Sequence, residues 1–148
     1  MIRALIVEDS ATARKHIAAI LNSDPEIEVV GEAVDGAEGV ELASRLKPDV
    51  ITMDINMPRM NGQEATRRIM EVSPTPIVVV SSVTRPEMVH KGLDILLDGA
   101  LEIVQKPSTL ADQGYQTIRA ELVAKVKAVS QVQYSQRTHG QPARPDNR

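Results

Sequence analysis

The stretch "PDVITMDINMPRMNG", residues 48–62, decides how the chain is read. Val50 to Met53 suit a buried strand, yet the run stops at Asp54 and passes straight into a loop punctuated by Pro58, Asn61 and Gly62. A carboxylate at the end of a buried strand is costly unless something binds its charge. The remainder of the chain supplies partners for it.

Working outward, apolar β-branched runs recur at "IRALIV" (2–7), "IEVVGEA" (27–33), "VITM" (50–53), "IVVV" (77–80) and "LEIV" (101–104). They read as five strands, and their continuous apolar character implies burial on both faces. Between them apolar residues return every three or four positions: Ala13, Ile17, Ile20 and Leu21; Leu42 and Leu46; Ala65, Ile69 and Val72; Val89, Leu93, Leu96 and Leu97. Asp35 with Glu38, Asn61 with Glu64, and Thr84 with Glu87 have the spacing of capped helix N-termini. Pro48, Pro74 and Gly99 supply the stops. A last helix is predicted over 112–133, burying Ile118, Leu122, Val126 and Val129. Residues 1–133 then form one domain, and 134–148, with almost nothing apolar to bury, read as a flexible tail or interdomain linker.

Five strands alternating with five helices specify an α/β fold, a doubly wound parallel sheet with right-handed crossovers. For a chain of this size the strand order 2-1-3-4-5 is expected, the flavodoxin-like arrangement. Ligands of such sheets gather beyond the carboxyl ends of the strands where the order reverses, between the first and third strands. Asp54 falls there.

The residues just past each strand end are Glu8 and Asp9, Asp54, Ser81 and Ser82, and Lys106. Neighbouring strands lie roughly 4.8 Å apart, so three carboxylates come within reach of one hard cation, with Lys106 leaning in from two strands away. Without a cation the acids repel and at least one pKa rises. Mg2+ suits, since it takes a few carboxylates and keeps waters that a phosphate can replace. One carboxylate is then free to attack phosphorus and form an aspartyl phosphate; Asp54 is the candidate nucleophile. Ser81 and Lys106 are the groups to hold the phosphoryl oxygens. Each residue alone has an ordinary alternative: Glu8 and Asp9 as solvated helix caps, Asp54 as a loop cap, Ser81 satisfying its own backbone, Lys106 in a common loop dipeptide. Their joint placement on one sheet edge favours the phosphoryl reading. His16, His90 and His139 lack ligand spacing and read as surface residues, while Met53, Met57, Met60 and Met70 read as packing.

Composition narrows the classes. At 148 residues and 42% apolar content the chain is long enough for one well-buried core. A net charge of −3 and only Tyr115 and Tyr134 as aromatics leave neither a basic field nor a stacking platform, so nucleic acid is not an expected partner. No cysteine is present, which removes disulfides, thiolate nucleophiles and Cys-ligated zinc. The N-terminal apolar run is too short for a signal peptide or membrane span, and a cytoplasmic location is expected.

Together "LIVEDS", "DINMPRMNG", "VVVSS" and "VQKP" resemble the response-regulator receiver domain of two-component signalling, over residues 1–133. The resemblance implies that a partner histidine kinase phosphorylates Asp54. It implies that Mg2+ is held by Glu8, Asp9, Asp54 and the backbone carbonyl of Asn56, and that Ser81 and Lys106 sense the phosphoryl group. The Lys106–Pro107 bond is typically cis in that family. A narrower set, "LNSDPEIEVVGEAVDG", "LKPDVITMDINMPRMNG", "RRIMEVSPTPIVVVSSVT" and "KPSTLADQGYQTIRAELVAKVKA", is similar to the regulatory domain of chemotaxis protein-glutamate methylesterases. That likeness implies an output or methylesterase domain engaged through the fourth helix, fifth strand and last helix. No residues after Lys106 could supply a hydrolase triad on a core of their own, so the chain is not itself expected to be the enzyme. It is expected to be the isolated regulatory half rather than a stand-alone receiver. Ile103 stands where receivers usually carry an aromatic switch residue, and Val83 where some relatives place a polar group. Gly92 weakens the fourth helix, which suits a movable output element. The rival from another class, a Mg2+-dependent phosphohydrolase, needs a second acid two residues after its nucleophile, where this chain has Asn56. A flavin or dinucleotide carrier is weaker still, since "VEDSATARKH" has no glycine for a phosphate loop.

Overall fold

The computed structural model describes residues 1–81, 94–96, 98–106 and 112–132. Its elements are β1 (Ile2–Val7), α1 (Ala11–Asn22), β2 (Ile27–Ala33), α2 (Gly36–Leu46), β3 (Val50–Met53), α3 (Gly62–Val72), β4 (Ile77–Ser81), β5 (Glu102–Gln105) and α4 (Asp112–Val129), with residues 94–96 also helical. The strands form one parallel sheet in the order β2-β1-β3-β4-β5, as expected. Most of the predicted fourth helix, with its cap Thr84, lies outside the described residues. So do Ser82, Val83, His90, Gly92, Pro107 and its peptide bond, Tyr134, His139 and the predicted tail.

Alternation along the strands sends successive side chains to opposite faces. Leu5, Val7, Ile51, Met53, Ile77 and Val79 face α2 and α3, where they pack with Leu42, Ala43, Ala65, Ile69 and Ile95. Ala4, Ile6, Val50, Val78, Val80 and Val104 face the other side, against Ile17, Ile20 and Leu21 of α1 and Leu122, Val126 and Val129 of α4. The four methionines named above pack in or against the first of these layers.

Several boundaries and faces differ from the sequence reading. β5 starts and ends one residue later, and α4 stops at Val129 rather than near 133. Burial on both faces holds for β3 and β4 but not for β2 and β5, which are the edges of the sheet and keep partly exposed residues. Val72 is 57% exposed, because the buried arc of α3 runs through Gly62, Ala65, Thr66 and Ile69 and position 72 falls outside it. In the β1–β2 pairing the register slips between Ala4 and Leu5, leaving Val30 as a bulge in β2.

The caps position the functional edge. Ser10 caps α1, its hydroxyl accepting from the Ala13 N–H at 3.2 Å. Asp35 and Asn61 cap α2 and α3 through the N–H groups of Glu38 and Glu64, at 2.8 and 2.9 Å, as their spacing predicts.

Candidate functional site

β1 and β3 are neighbours with Val7 opposite Met53, so Glu8 and Asp54 leave the sheet side by side. The Asp54 N–H donates to the Val7 carbonyl at 3.0 Å, and the Glu8 N–H to Ala33 at 3.0 Å, extending the ladder to the rim. On β4, next to β3, Ser81 pairs with Gln105 of β5, and the Lys106 N–H donates to the Ser81 carbonyl at 2.9 Å. The sheet order thus carries five of the predicted side chains to one edge.

Glu8, Asp9 and Asp54 each offer a carboxylate oxygen, and these lie within 4.8 Å of one another. Glu8 and Asp54 are buried, whereas Asp9 is exposed. Lys106 Nζ stands 3.3 Å from Glu8 Oε2 and 3.5 Å from Asp54 Oδ1. Among the described residues one ammonium faces these two buried acids. Burial, and then the adjacent Glu8 carboxylate, push the Asp54 carboxyl up to about 7 against the opposing pull of Lys106. Asn56 is exposed in the loop two residues beyond Asp54.

Local bonds bear on the ordinary alternatives, and some of them agree with those readings. Ser10, not Glu8 or Asp9, provides the cap of α1, although Glu8 Oε2 accepts the Ser10 N–H at 3.1 Å. Asp54 Oδ1 accepts the Ile55 N–H at 2.9 Å. The Ser81 hydroxyl is buried and has no hydrogen-bond partner among the described residues, and the same is true of Glu8 Oε1. Buried polar atoms are normally paired, so two orphaned oxygens on one rim are open valences for a ligand. Clustered carboxylates, one with an unpaired oxygen, fit a hard divalent cation.

The loop after Asp54 is held by close backbone contact. A Cβ on Gly62 would meet the Asp54 carbonyl oxygen at 2.0 Å, so only glycine allows α3 to start against it. Two arginines escaped the sequence reading. Arg14 donates to the Glu8 carbonyl at 2.8 Å and pairs with Glu32 at 3.2 Å. Arg59 pairs with Asp35, which had been read only as a cap. A basic residue inside "MPRMNG" was the available signal, but the partner lies on a different loop.

The profile of the response regulator receiver domain matches residues 4–118 of this sequence. The chain is a response regulator receiver domain. Among solved structures this receiver is similar to the response regulator domain of Thermotoga maritima CheB, at 40% identity and a TM-score of 0.79, covering 90% of this chain and 99% of that one. It is also similar to a chain of the CheX-CheY-BeF3-Mg+2 complex from Borrelia burgdorferi, at 27% identity and a TM-score of 0.70, covering 86% and 88% respectively. A protein-glutamate methylesterase/protein-glutamine glutaminase from Syntrophus aciditrophicus is 46% identical over 142 residues, which are 96% of this chain and 40% of the relative. The receiver therefore spans well under half the length of such relatives, and it is their receiver part, not their enzyme part, that it matches. Among the described residues no helix is long and apolar enough to cross a membrane.

Proposed function

We propose that the receiver is a phosphoacceptor switch of a chemotaxis-type two-component system, in which Asp54 takes a phosphoryl group from a histidine kinase. The observation that carries this reading is the acidic rim: three carboxylates within 4.8 Å, two of them buried and sharing Lys106, with the Ser81 hydroxyl, unpartnered among the described residues, on the same edge. An oxygen of ionised Asp54 attacks phosphorus, and the bond from phosphorus to the donor's imidazole nitrogen breaks with its electron pair leaving on the imidazole. The product is an acyl phosphate on Asp54. Lys106 offsets charge on the phosphoryl oxygens, and Ser81 donates its hydroxyl proton to one of them.

Glu8, Asp9, Asp54 and the backbone carbonyl of Asn56 are the groups that would hold Mg2+, which supplies the positive charge needed to bring a phosphoryl group to an acidic rim. The related Borrelia structure, whose name includes Mg+2 and BeF3, supports this choice. The receiver occupies residues 1–133 and works in the cytoplasm, with 134–148 as the linker to a methylesterase domain. That domain is controlled through the face made by the predicted fourth helix, β5 and α4. Ile103 on β5 is half-buried and has no ring to swing, so the signal reaches this face through backbone shifts.

Acetyl phosphate with Mg2+ tests the reading by intact mass. One phosphoryl adduct mapping to Asp54, absent from Asp54→Asn, is the expected result. Repeated turnover of a phosphomonoester without an adduct would replace the switch by a hydrolase.

A further inference from the structure

The loop between β3 and α3 contains a turn that few residues adopt. The Met60 N–H donates to the Pro58 carbonyl at 2.7 Å, closing a three-residue turn on Arg59, whose φ is 66°. Tight turns of this hand are strained, and a residue with a side chain is disfavoured there. Strained residues persist where their surroundings over-determine them, and here the surroundings can be named. Arg59 Nε donates to Asp35 Oδ2 at 2.7 Å, and Nη2 of the same guanidinium donates to the same oxygen. The other oxygen, Oδ1, caps α2. The Asp35 carboxylate thus divides between two tasks, one oxygen for the helix and one for the loop.

Backbone contacts carry the clamp to the acid cluster. The Gly36 N–H donates to the Met60 carbonyl at 3.0 Å, and a Cβ on Gly36 would come within 2.2 Å of that oxygen. The Gly62 N–H donates to the Ile55 carbonyl at 2.7 Å. The turn on Arg59 therefore lies between two fixed points, one on α2 and one on the residue after Asp54. Ion pairs between two exposed partners contribute little. Asp35, however, is only 4% exposed and takes two donors from one guanidinium.

We propose that Arg59 and Asp35 are positioning residues for the acidic rim: their ion pair holds the strained turn and so fixes how Asp54 and the Asn56 backbone face the cation. The role rests on Asp54 being the Mg2+-dependent phosphoacceptor, and neither residue touches the ion.

Three variants of the full chain separate this from simple fastening. Arg59→Ala removes the guanidinium but keeps a residue equally reluctant to turn left-handed. Asp35→Asn keeps a capping oxygen, since asparagine caps as well as aspartate, and removes the charge. Arg59→Lys keeps the charge without the fork. Magnesium affinity by calorimetry and amide exchange at Gly36 and Gly62 are read at a temperature where every variant is folded. Arg59→Ala and Asp35→Asn should each weaken magnesium binding by about tenfold, the size of effect seen when groups supporting metal ligands are lost. Both should speed exchange at the two amides, the double variant should be no worse than the poorer single one, and Arg59→Lys should fall between. Unchanged exchange would overturn the proposal, as would faster exchange with unchanged affinity, which would make the pair a fastener of α2 alone. A wild-type chain that binds no Mg2+ and gains no phosphoryl mass would instead remove the reading beneath it, before any variant is compared.

Discussion

Asp35 and Asp54 are both almost wholly covered, at 4% and 6% exposure, yet their surroundings drive them in opposite directions. The backbone N–H of Glu38 and the Arg59 guanidinium hold the Asp35 carboxyl below its usual value. Burial and the neighbouring Glu8 raise that of Asp54 to about 7. Coverage and depth are different things: Asp35 is shielded by an arginine that is itself 67% exposed, whereas Asp54 is walled by the sheet edge and shares its lysine with a second acid. A finished structural acid has its oxygens assigned to donors. An acid awaiting a ligand is left short of positive charge.

The contrast is broken most severely by neutralising Asp54, the member whose pKa is raised. In magnesium-free buffer near pH 8, Asp54→Asn should stabilise the fold by on the order of 2–4 kcal/mol, the scale of a raised carboxyl pKa, and should diminish the stabilisation that Mg2+ confers. The pH dependence has a definite sign. Between about pH 4 and 7 the unfolded chain has released the Asp54 proton while the native chain keeps it, so wild-type stability falls as pH rises through that window without Mg2+. The variant should lack this fall. Thermal melts across pH, with and without Mg2+, check both statements; equal melting curves would show that burial and Glu8 do not raise the Asp54 carboxyl.

The same operation on the satisfied member should have the opposite sign. Asp35→Ala removes the α2 cap and the partner of Arg59, and should cost about 1–2 kcal/mol in denaturant melts. A stabilised Asp35→Ala would erase the distinction between the two acids. The smallest effect is expected at Ser81, whose buried hydroxyl has no partner among the described residues to lose. Ser81→Ala should change stability by less than about 1 kcal/mol while slowing phosphoryl uptake from acetyl phosphate, so a large loss of stability would show that the hydroxyl is already engaged.

The sheet and its acidic rim were legible because both depend on local pattern: apolar runs, caps, and the residue that follows each strand. Glu8, Asp54, Ser81 and Lys106 could be brought together from strand order alone. What was not legible depends on position in the assembled layers. The partial exposure of β2 follows from its place at the edge, which its own apolar run does not encode. Val72 continues the spacing of Ala65 and Ile69 but loses the core to Thr66. Ile95, wholly buried, went unnamed beside Leu93 and Leu96. The Arg59–Asp35 pair joins two loops 24 residues apart, and no periodicity reports such a meeting.

An open sheet can in principle grow, because each outermost strand presents unpaired backbone groups to any second copy that arrives. On the β2 side this chain interrupts that template with the bulge at Val30, which breaks the even spacing that a docking strand would need. The irregularity works against intermolecular strand addition along that edge, and so against growth of the sheet into a fibre.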